Sequence, residues 1–305
     1  MRYIILLFSL FLAFSANAKS LQVLASYPPI QSLVLGVTNG VEPVGVIYRN
    51  SSAGHHDVPL KPSQMKALKR ADVLFWAGPE LENNIPEALA KLNTKLISVP
   101  LMEQTQGLAF EPLATDAQKN DPHFWLDPDN ALKALDQILK VMIELDPNNR
   151  AAYEKNATHY KEVLQRLQDL NTVDKNKKFV ALHSGFDYFF KSFGLNGTTM
   201  NIDPEQIKTP AKKRQFFEKL KSENPACVIV EPAMTKKQIR ALGLDDYAIV
   251  KIDAFGWPLK NPHYRYYQLM KRNTDDFFSL WRSLKPTIAK VQGYAVAGGS
   301  DIALS

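Results

Sequence analysis

The chain contains 305 residues, of which 45% are hydrophobic and 22% charged. This composition excludes an intrinsically disordered chain, and the length allows one large or two medium-sized globular domains. The net charge of +6 is distributed over short basic clusters, for example at 175–178 and 212–214. These clusters lack aromatic interleaving and a nucleic-acid-binding motif, so we interpret them as solvated loops and helix ends and expect no nucleic-acid partner.

The N-terminus has the pattern of a secretory signal peptide over residues 1–18. Arg2 is followed by an apolar stretch over 4–14 and by an A-x-A cleavage site at 16–18. The apolar stretch is shorter than the roughly 20 residues that span a bilayer, and no later segment approaches that length. We therefore expect a cleavable signal peptide and a mature protein that is soluble and periplasmic.

The first half of the chain alternates between short apolar runs and helical patterns, which is typical of α/β proteins with mainly parallel sheets. Strands are predicted over 21–25, 44–48, 73–76 and 96–99. Helices are predicted between them over 29–38, 62–70 and 83–92. Glu80 and Glu82 precede the third helix, and we expect both to favour its start through the helix dipole.

A long helix is predicted between the two halves, over 146–172. Asp146 can cap this helix and Pro147 can occupy its first position. Apolar side chains then recur at helical spacing, at Tyr153, Ala157, Tyr160, Leu164 and Leu167. A helix of more than about 20 residues is at least about 30 Å long, so we predict that it is a stiff connector between two domains.

The alternation of strands and helices returns in the second half. Strands are predicted over 179–182, 198–202, 227–230 and 248–252. Helices are predicted over 185–193, 210–222 and 235–242, with a last helix near 264–284. We therefore predict two α/β lobes over 19–145 and 173–286, each a mainly parallel sheet flanked by helices. The tail over 287–305 carries few structure signals and fits a disordered segment.

Several side chains with metal-binding chemistry occupy predicted loops and strand ends. His56 lies beside His55 in a polar loop after a strand, and His123 lies in a turn before a helix. His183 and Asp253 directly follow strands of the second half. In open α/β sheets, ligands bind beyond the carboxyl ends of the strands. Three imidazoles and one carboxylate could therefore form a four-ligand site in the cleft between the lobes.

Each of these residues also has a simpler interpretation. A loop histidine is usually solvated or hydrogen-bonded, and an aspartate after a strand usually belongs to a turn or caps a helix. Coordination becomes the better explanation only when the side chains converge, which spacing alone does not show. Either histidine of the pair His55-His56 could point into the site, and Glu231, which also ends a strand, is a reserve ligand.

Several motifs, spread over nearly all of the mature chain, occur in the order found in one known family. They are His56-Asp57 with Pro62-Ser63, Ala71-Asp72 with Gly78-Pro79-Glu80-Leu81-Glu82, Asp121-Pro122-His123-Phe124-Trp125 with Asp127-Pro128, His183-Ser184-Gly185-Phe186-Asp187-Tyr188-Phe189, and Asp253. In these motifs the chain resembles the metal-binding components of ABC importers for zinc and manganese, the cluster A-I solute-binding proteins.

The resemblance implies two α/β lobes bridged by a rigid helix, with a metal ion between them, and a membrane permease as the partner of a monomeric protein. It places the metal ligands on His56, His123, His183 and Asp253. It selects His56 over His55 because the first ligand of the family directly precedes the aspartate of this motif. His55 stands where zinc members can have an acidic residue, which makes it a candidate auxiliary ligand.

The ligand set favours zinc over manganese. Three neutral imidazoles and a carboxylate suit tetrahedral Zn²⁺, whereas manganese prefers more oxygen ligands. The resemblance points the same way, since manganese members usually place a glutamate where this chain has His183. We therefore predict Zn²⁺ as the transported ion, with Mn²⁺ or Fe²⁺ as the second choice.

A secreted zinc hydrolase with three histidine ligands, and with Asp253 as general base, is the alternative from another class of protein. A catalytic zinc ion needs an open coordination position for water, whereas a capture protein can close its site with a fourth protein ligand. The sequence has neither an H-E-x-x-H helix nor a nucleophile elbow. We therefore expect a transport protein and not an enzyme.

Overall fold

The computed structural model describes residues 20–49, 59–92, 95–113, 116–165, 177–183, 185–200, 207 and 209–256. The predicted signal peptide, the loop with His55 and His56, the predicted helix near 264–284 and the tail lie outside the described residues. Within the described ranges, no helix combines the length and the apolar character that crossing a membrane requires.

Four parallel strands form the sheet of the first lobe. They are β1 (Val23–Ala25), β2 (Val44–Val46), β3 (Val73–Trp76) and β4 (Ile97–Pro100), in the order β2-β1-β3-β4. The helices of this sheet are α1 (Pro28–Thr38), α2 (Pro62–Arg70), α3 (Ile85–Leu92) and the short α4 (Leu101–Gln104). Prolines begin α1 and α2, at positions where a missing N–H removes no helical hydrogen bond. The predicted strands and helices of this half are confirmed, with ends shifted by no more than two residues.

A hairpin and a long helix complete the first lobe. The hairpin pairs β5 (Pro112–Leu113) with β6 (Asp116–Asn120) in antiparallel orientation. The sequence analysis missed it because β6 is a polar segment, whereas strands were predicted from apolar runs. Helix α5 (Pro128–Leu145) follows, and the Asp127 carboxylate caps it by accepting a 2.8 Å hydrogen bond from the Asp129 N–H.

The predicted connecting helix starts later than its sequence indicated. Pro147–Asn149 form a 3₁₀ turn, and α6 (Arg150–Gln165) begins after it. Asp146 does not cap this helix, because its carboxylate instead accepts the Tyr153 hydroxyl at 2.9 Å. The predicted stripe is buried as far as Leu164, and α6 packs on α1 and α5 of the first lobe. Residues 166–176 lie outside the described residues.

The second lobe contains a second parallel sheet. Its strands are β7 (Lys178–Ala181), β8 (Asn196–Thr199), β9 (Cys227–Val230) and β10 (Ile249–Lys251), in the order β10-β9-β7-β8. Its helices are α7 (Phe186–Ser192), α8 (Pro210–Glu223) and α9 (Lys236–Ala241). The strand predicted over 198–202 is present, but its bounds were wrong, since β8 begins at Asn196 and ends at Thr199. Its second residue, Gly197, lies under the Phe190 ring, where a Cβ atom would come within 2.3 Å.

One apolar core extends across both lobes. It combines side chains of the first sheet and of α1, α5 and α6 with one face of the second sheet, which contributes Phe179 and Ala181. The alternate residues Val180 and Leu182 face the opposite side and form a smaller core with α8. The second sheet is therefore covered on both faces, as a parallel sheet requires. The predicted α/β class with mainly parallel sheets is confirmed.

The carboxyl ends of the two sheets meet at the lobe interface. Tyr27 follows β1 and Phe255 follows β10, and the centroids of their rings lie 5.2 Å apart. Tyr48, which follows β2, stacks on Tyr27 at 4.6 Å. The strand ends to which the sequence analysis assigned the metal ligands thus belong to one region of the molecule.

Candidate metal site

His123 is fully buried in the turn before a short 3₁₀ segment, Phe124–Leu126. Its Nδ1 lies 2.7 Å from Oδ1 of Asp121, and the same oxygen accepts the backbone N–H of His123 at 2.9 Å. The carboxylate therefore fixes both the ring orientation and the nitrogen that carries the proton, and it leaves Nε2 to face the site. Burial raises the pKa of Asp121, but the adjacent His123 outweighs it through charge and hydrogen bonding, so the pKa stays below its usual value.

His183 faces His123 from the second lobe. It follows β7 after one intervening residue, and its Nε2 lies 3.3 Å from Nε2 of His123. The two rings are nearly perpendicular, with an interplanar angle of 78° and centroids 5.0 Å apart. On the far side of the ring, Nδ1 of His183 lies 3.7 Å from Oε1 of Glu231. Each imidazole thus presents Nε2 to the other and has a carboxylate near its Nδ1.

The second lobe approaches the His123 turn closely at the start of α7. The Tyr188 hydroxyl donates to the Asp121 carbonyl oxygen at 2.7 Å. Gly185 has φ +95°, and a Cβ atom at this position would lie 2.6 Å from Cβ of His123. Glycine is therefore required here, both by the backbone conformation and by the space that the His123 side chain occupies.

Asp253 lies on the turn that follows β10 and is 7% exposed. Its Oδ1 accepts the backbone N–H of Phe255 at 2.9 Å. The Phe255 ring packs beside both imidazoles, with centroid distances of 5.4 Å to His123 and 6.5 Å to His183. The turn that carries Asp253 is thus a wall of the region that contains the two histidines.

The structure brings together some of the predicted ligands but not the whole set. His123 and His183 are in contact through their Nε2 atoms. Among the residues that the structure describes, no group of three or more His, Cys, Asp or Glu side chains is placed to hold a metal ion. His56 and the auxiliary candidate His55 lie outside the described residues, so their roles stay predictions, as does that of Asp253.

Two carboxylates near this region have positions that the sequence analysis did not predict. The sequence indicated Asp121 only as part of the Asp121-Pro122-His123 motif and not as the ring partner of His123, although a metal-binding histidine usually donates its other ring N–H to a carboxylate, a carbonyl or water. Glu82 was expected to favour the next helix, but α3 begins only at Ile85. Glu82 is instead buried at the end of β3, where it accepts the N–H groups of Ala77 and Gly78 at 3.2 and 3.0 Å. Burial raises its pKa to about 7.

Comparison with known proteins identifies the family of this chain. The family model described as ZnuA, Zinc-uptake complex component A periplasmic, matches residues 23–279. The High-affinity zinc uptake system protein ZnuA of Brucella suis biovar 1 is 28% identical over 315 aligned positions, covering 88% of this chain and 92% of that protein. The Iron ABC transporter substrate-binding lipoprotein MtsA of Streptococcus pyogenes serotype M1 is 26% identical, covering 86% and 89% respectively.

Solved structures share the fold. The AdcAII protein of Streptococcus pneumoniae superposes with a TM-score of 0.72 at 24% sequence identity, covering 86% of this chain and 99% of that chain. A crystal structure of ZnuA superposes with a TM-score of 0.70 at 21% identity, covering 84% and 98% respectively. The resemblance that the sequence motifs indicated is therefore confirmed.

Proposed function

Because this chain belongs to the family of the periplasmic zinc-uptake complex component A, we propose that it captures one Zn²⁺ ion between its lobes and delivers it to the permease of an ABC importer. The proposed ligands are His56, His123, His183 and Asp253. His55 is an auxiliary ligand in this proposal. The protein is exported by its signal peptide over 1–18 and works as a monomer without a nucleic-acid partner.

The distance between the two imidazole nitrogens is the observation that supports this function best. Two nitrogens bound to zinc at about 2.0 to 2.1 Å, with a tetrahedral angle of about 109° between them, lie about 3.3 Å apart. The Nε2 atoms of His123 and His183 are separated by 3.3 Å. With a proton on each Nδ1 facing its carboxylate, both Nε2 lone pairs point into the same space, where a cation stabilises them.

This proposal divides the chain into two lobes, over 19–145 and 173–286, which the helical segment 146–172 joins. Packing of α6 on α1 and α5 supports a connector that moves with the first lobe. His123 then belongs to the same rigid unit as the connector, and His183 and Asp253 belong to the other. Four protein ligands would leave no open position for a reactive water, so we propose capture without catalysis.

Iron or manganese is the second candidate, supported by the similarity to an iron transporter lipoprotein. The two possibilities differ in their expected response to metal competition. An imidazole pair favours zinc over manganese and iron by the Irving–Williams order. Zinc should therefore displace Mn²⁺ or Fe²⁺ from the purified protein when the metals are present at equal concentration.

Metal titration of single variants tests the site. His123→Ala and His183→Ala should each lower zinc affinity by at least about tenfold, because each removes a nitrogen ligand. The matched control is His159→Ala, which removes an exposed histidine from α6. Equal zinc affinity in all three variants and the wild type would show that the site lies elsewhere.

A further inference from the structure

We propose that Trp125 is a positioning residue of the metal site, which fixes the position of the turn carrying Asp253 relative to the turn carrying His123. This proposal rests on the proposed function, because it concerns the geometry in which the two lobes present their ligands. It assigns a specific task to the indole N–H group and not merely to the bulk of the ring.

The central contact is a buried hydrogen bond between segments 129 residues apart in the chain. The Trp125 indole Nε1–H donates to the carbonyl oxygen of Ala254 at 2.9 Å. Trp125 has 0% exposure, so water does not compete for this bond. The donor lies two residues after His123 and the acceptor one residue after Asp253. The bond therefore joins the immediate neighbours of two proposed ligands.

A single peptide group transmits this contact to the Asp253 side chain. The carbonyl of Ala254 and the N–H of Phe255 belong to one peptide unit, which is planar and rigid. Trp125 holds the oxygen end of this unit, and the N–H end donates to Oδ1 of Asp253 at 2.9 Å. Fixing the carbonyl direction therefore fixes the N–H direction, and with it the orientation of the carboxylate.

The Trp125 ring also packs against the His123 ring and the Phe255 ring. Its centroid lies 5.3 Å from the His123 ring in an edge-to-face arrangement and 5.5 Å from the Phe255 ring. Aromatic pairs prefer defined edge-to-face or offset-stacked arrangements, so these contacts favour one relative orientation of the rings. One side chain thus packs on a histidine ligand and donates a hydrogen bond to the turn of the carboxylate.

A second tryptophan provides a matched control. Trp76 is 4% exposed, and its indole N–H also donates one 2.9 Å hydrogen bond, in this case to Oγ of Ser98. That bond connects β3 with β4 within the first lobe. Trp125→Phe and Trp76→Phe therefore remove the same donor from two buried rings, and they differ in the segment to which the donor is bonded.

The test is a double-mutant cycle between Trp125→Phe and Asp253→Ala, with zinc affinity measured by competition with a chelator. In the wild-type background, Trp125→Phe should weaken zinc binding about tenfold, the lower end of the range for groups that orient metal ligands. In the Asp253→Ala background it should cost less than about twofold, because the carboxylate through which it acts is gone. Trp76→Phe should leave zinc affinity unchanged.

The outcomes separate this proposal from the function on which it rests. An equal loss from Trp125→Phe with and without Asp253, or no loss at all, overturns the positioning role. Absence of zinc binding by the wild-type protein would instead contradict the proposed function. A measurement on the wild type covers the case in which Trp125→Phe does not fold. Zinc addition should shift the NMR resonances of the Trp125 indole and the Phe255 amide together. A shift of the amide alone would show that the peptide group does not transmit the contact, and would overturn the positioning role.

Discussion

Replacing Gly185 with alanine should damage the metal site through a steric contact that the structure defines. A Cβ atom at this position would lie 2.6 Å from Cβ, 2.7 Å from Cγ and 3.0 Å from Nδ1 of His123. Carbon atoms in contact are normally about 3.5 to 4.0 Å apart, so the His123 side chain or the start of α7 must move by about 1 Å. His123 is fixed by Asp121 and α7 by the buried Tyr188, so neither partner yields without losing a buried hydrogen bond.

Two contributions to the loss of stability can be separated with a second glycine. The positive φ of Gly185 costs alanine about 1 to 3 kcal/mol in the free energy of unfolding, and loss of a buried hydrogen bond adds about 1 to 3 kcal/mol. Gly40 has φ +73°, and apart from its chain neighbours no heavy atom lies within 4 Å of the position that a Cβ atom would occupy. Gly40→Ala therefore carries the backbone cost without the clash.

Urea unfolding and zinc titration of both variants provide the assay. Gly185→Ala should be less stable than Gly40→Ala by about 1 to 3 kcal/mol. It should also bind zinc about tenfold more weakly or worse, since the proposed ligand His123 has been displaced. Gly40→Ala should keep wild-type zinc affinity. If the two variants had the same zinc affinity, the close approach of Gly185 to His123 would have no role in the site.

Two further predictions concern buried carboxylates. Asp121→Ala should lower zinc affinity about 10- to 100-fold, because His123 loses the group that orients its ring and fixes its proton on Nδ1. Competition with a chelator measures the affinity. Unchanged affinity would exclude this role of Asp121. Burial raises the pKa of Glu82 in the folded protein to about 7, above its value in the unfolded chain. Between about pH 4.5 and 7 the folded protein therefore keeps a proton on Glu82 that the unfolded chain has lost. The free energy of unfolding should thus decrease as pH rises through this range. Glu82→Gln should remove up to about 3 kcal/mol of this decrease, and an equal pH slope in urea unfolding of both proteins would contradict the assignment.

The sequence predicted the two sheets well because their strands have simple local signals. β3 and β9 are continuous apolar runs buried on both faces, and their predicted ends agree with the structure. β8 was misplaced because Asn196 and Gly197 are poor strand formers, and Gly197 is required by the close approach of the Phe190 ring from α7. That contact is tertiary, so a pattern read along the chain does not contain it.

The part of the candidate site that lies at strand ends was predictable from the sequence. His183 and Asp253 follow β7 and β10, where the fold class predicts the crevice. The partners of the candidate ligands were not predictable in the same way. Glu231 approaches Nδ1 of His183 only because β9 lies beside β7 in the sheet. For His183, strand order and not spacing determines which carboxylate the imidazole meets, whereas the partner of His123 lies two residues upstream in the chain.

The long helix shows how one local signal can have two outcomes. Asp146 and Pro147 fit the start of an α-helix, and the structure uses them for a 3₁₀ turn instead. The Asp146 carboxylate bonds the Tyr153 hydroxyl, one of the apolar-stripe residues that face the first lobe. A side chain of the same helix, seven residues further along the chain, thus competes with the N-terminal cap for this carboxylate.

The central claim is that His123 and His183 coordinate one zinc ion together with His56 and Asp253. X-ray absorption at the zinc edge, on protein loaded with one equivalent of Zn²⁺, tests it most directly. We predict a four-coordinate shell of nitrogen and oxygen at about 2.0 to 2.1 Å, with the outer-shell scattering of three imidazole rings. In His183→Ala the imidazole scattering should fall by one ring. A shell of oxygen atoms without imidazole scattering in the wild-type protein would contradict the claim.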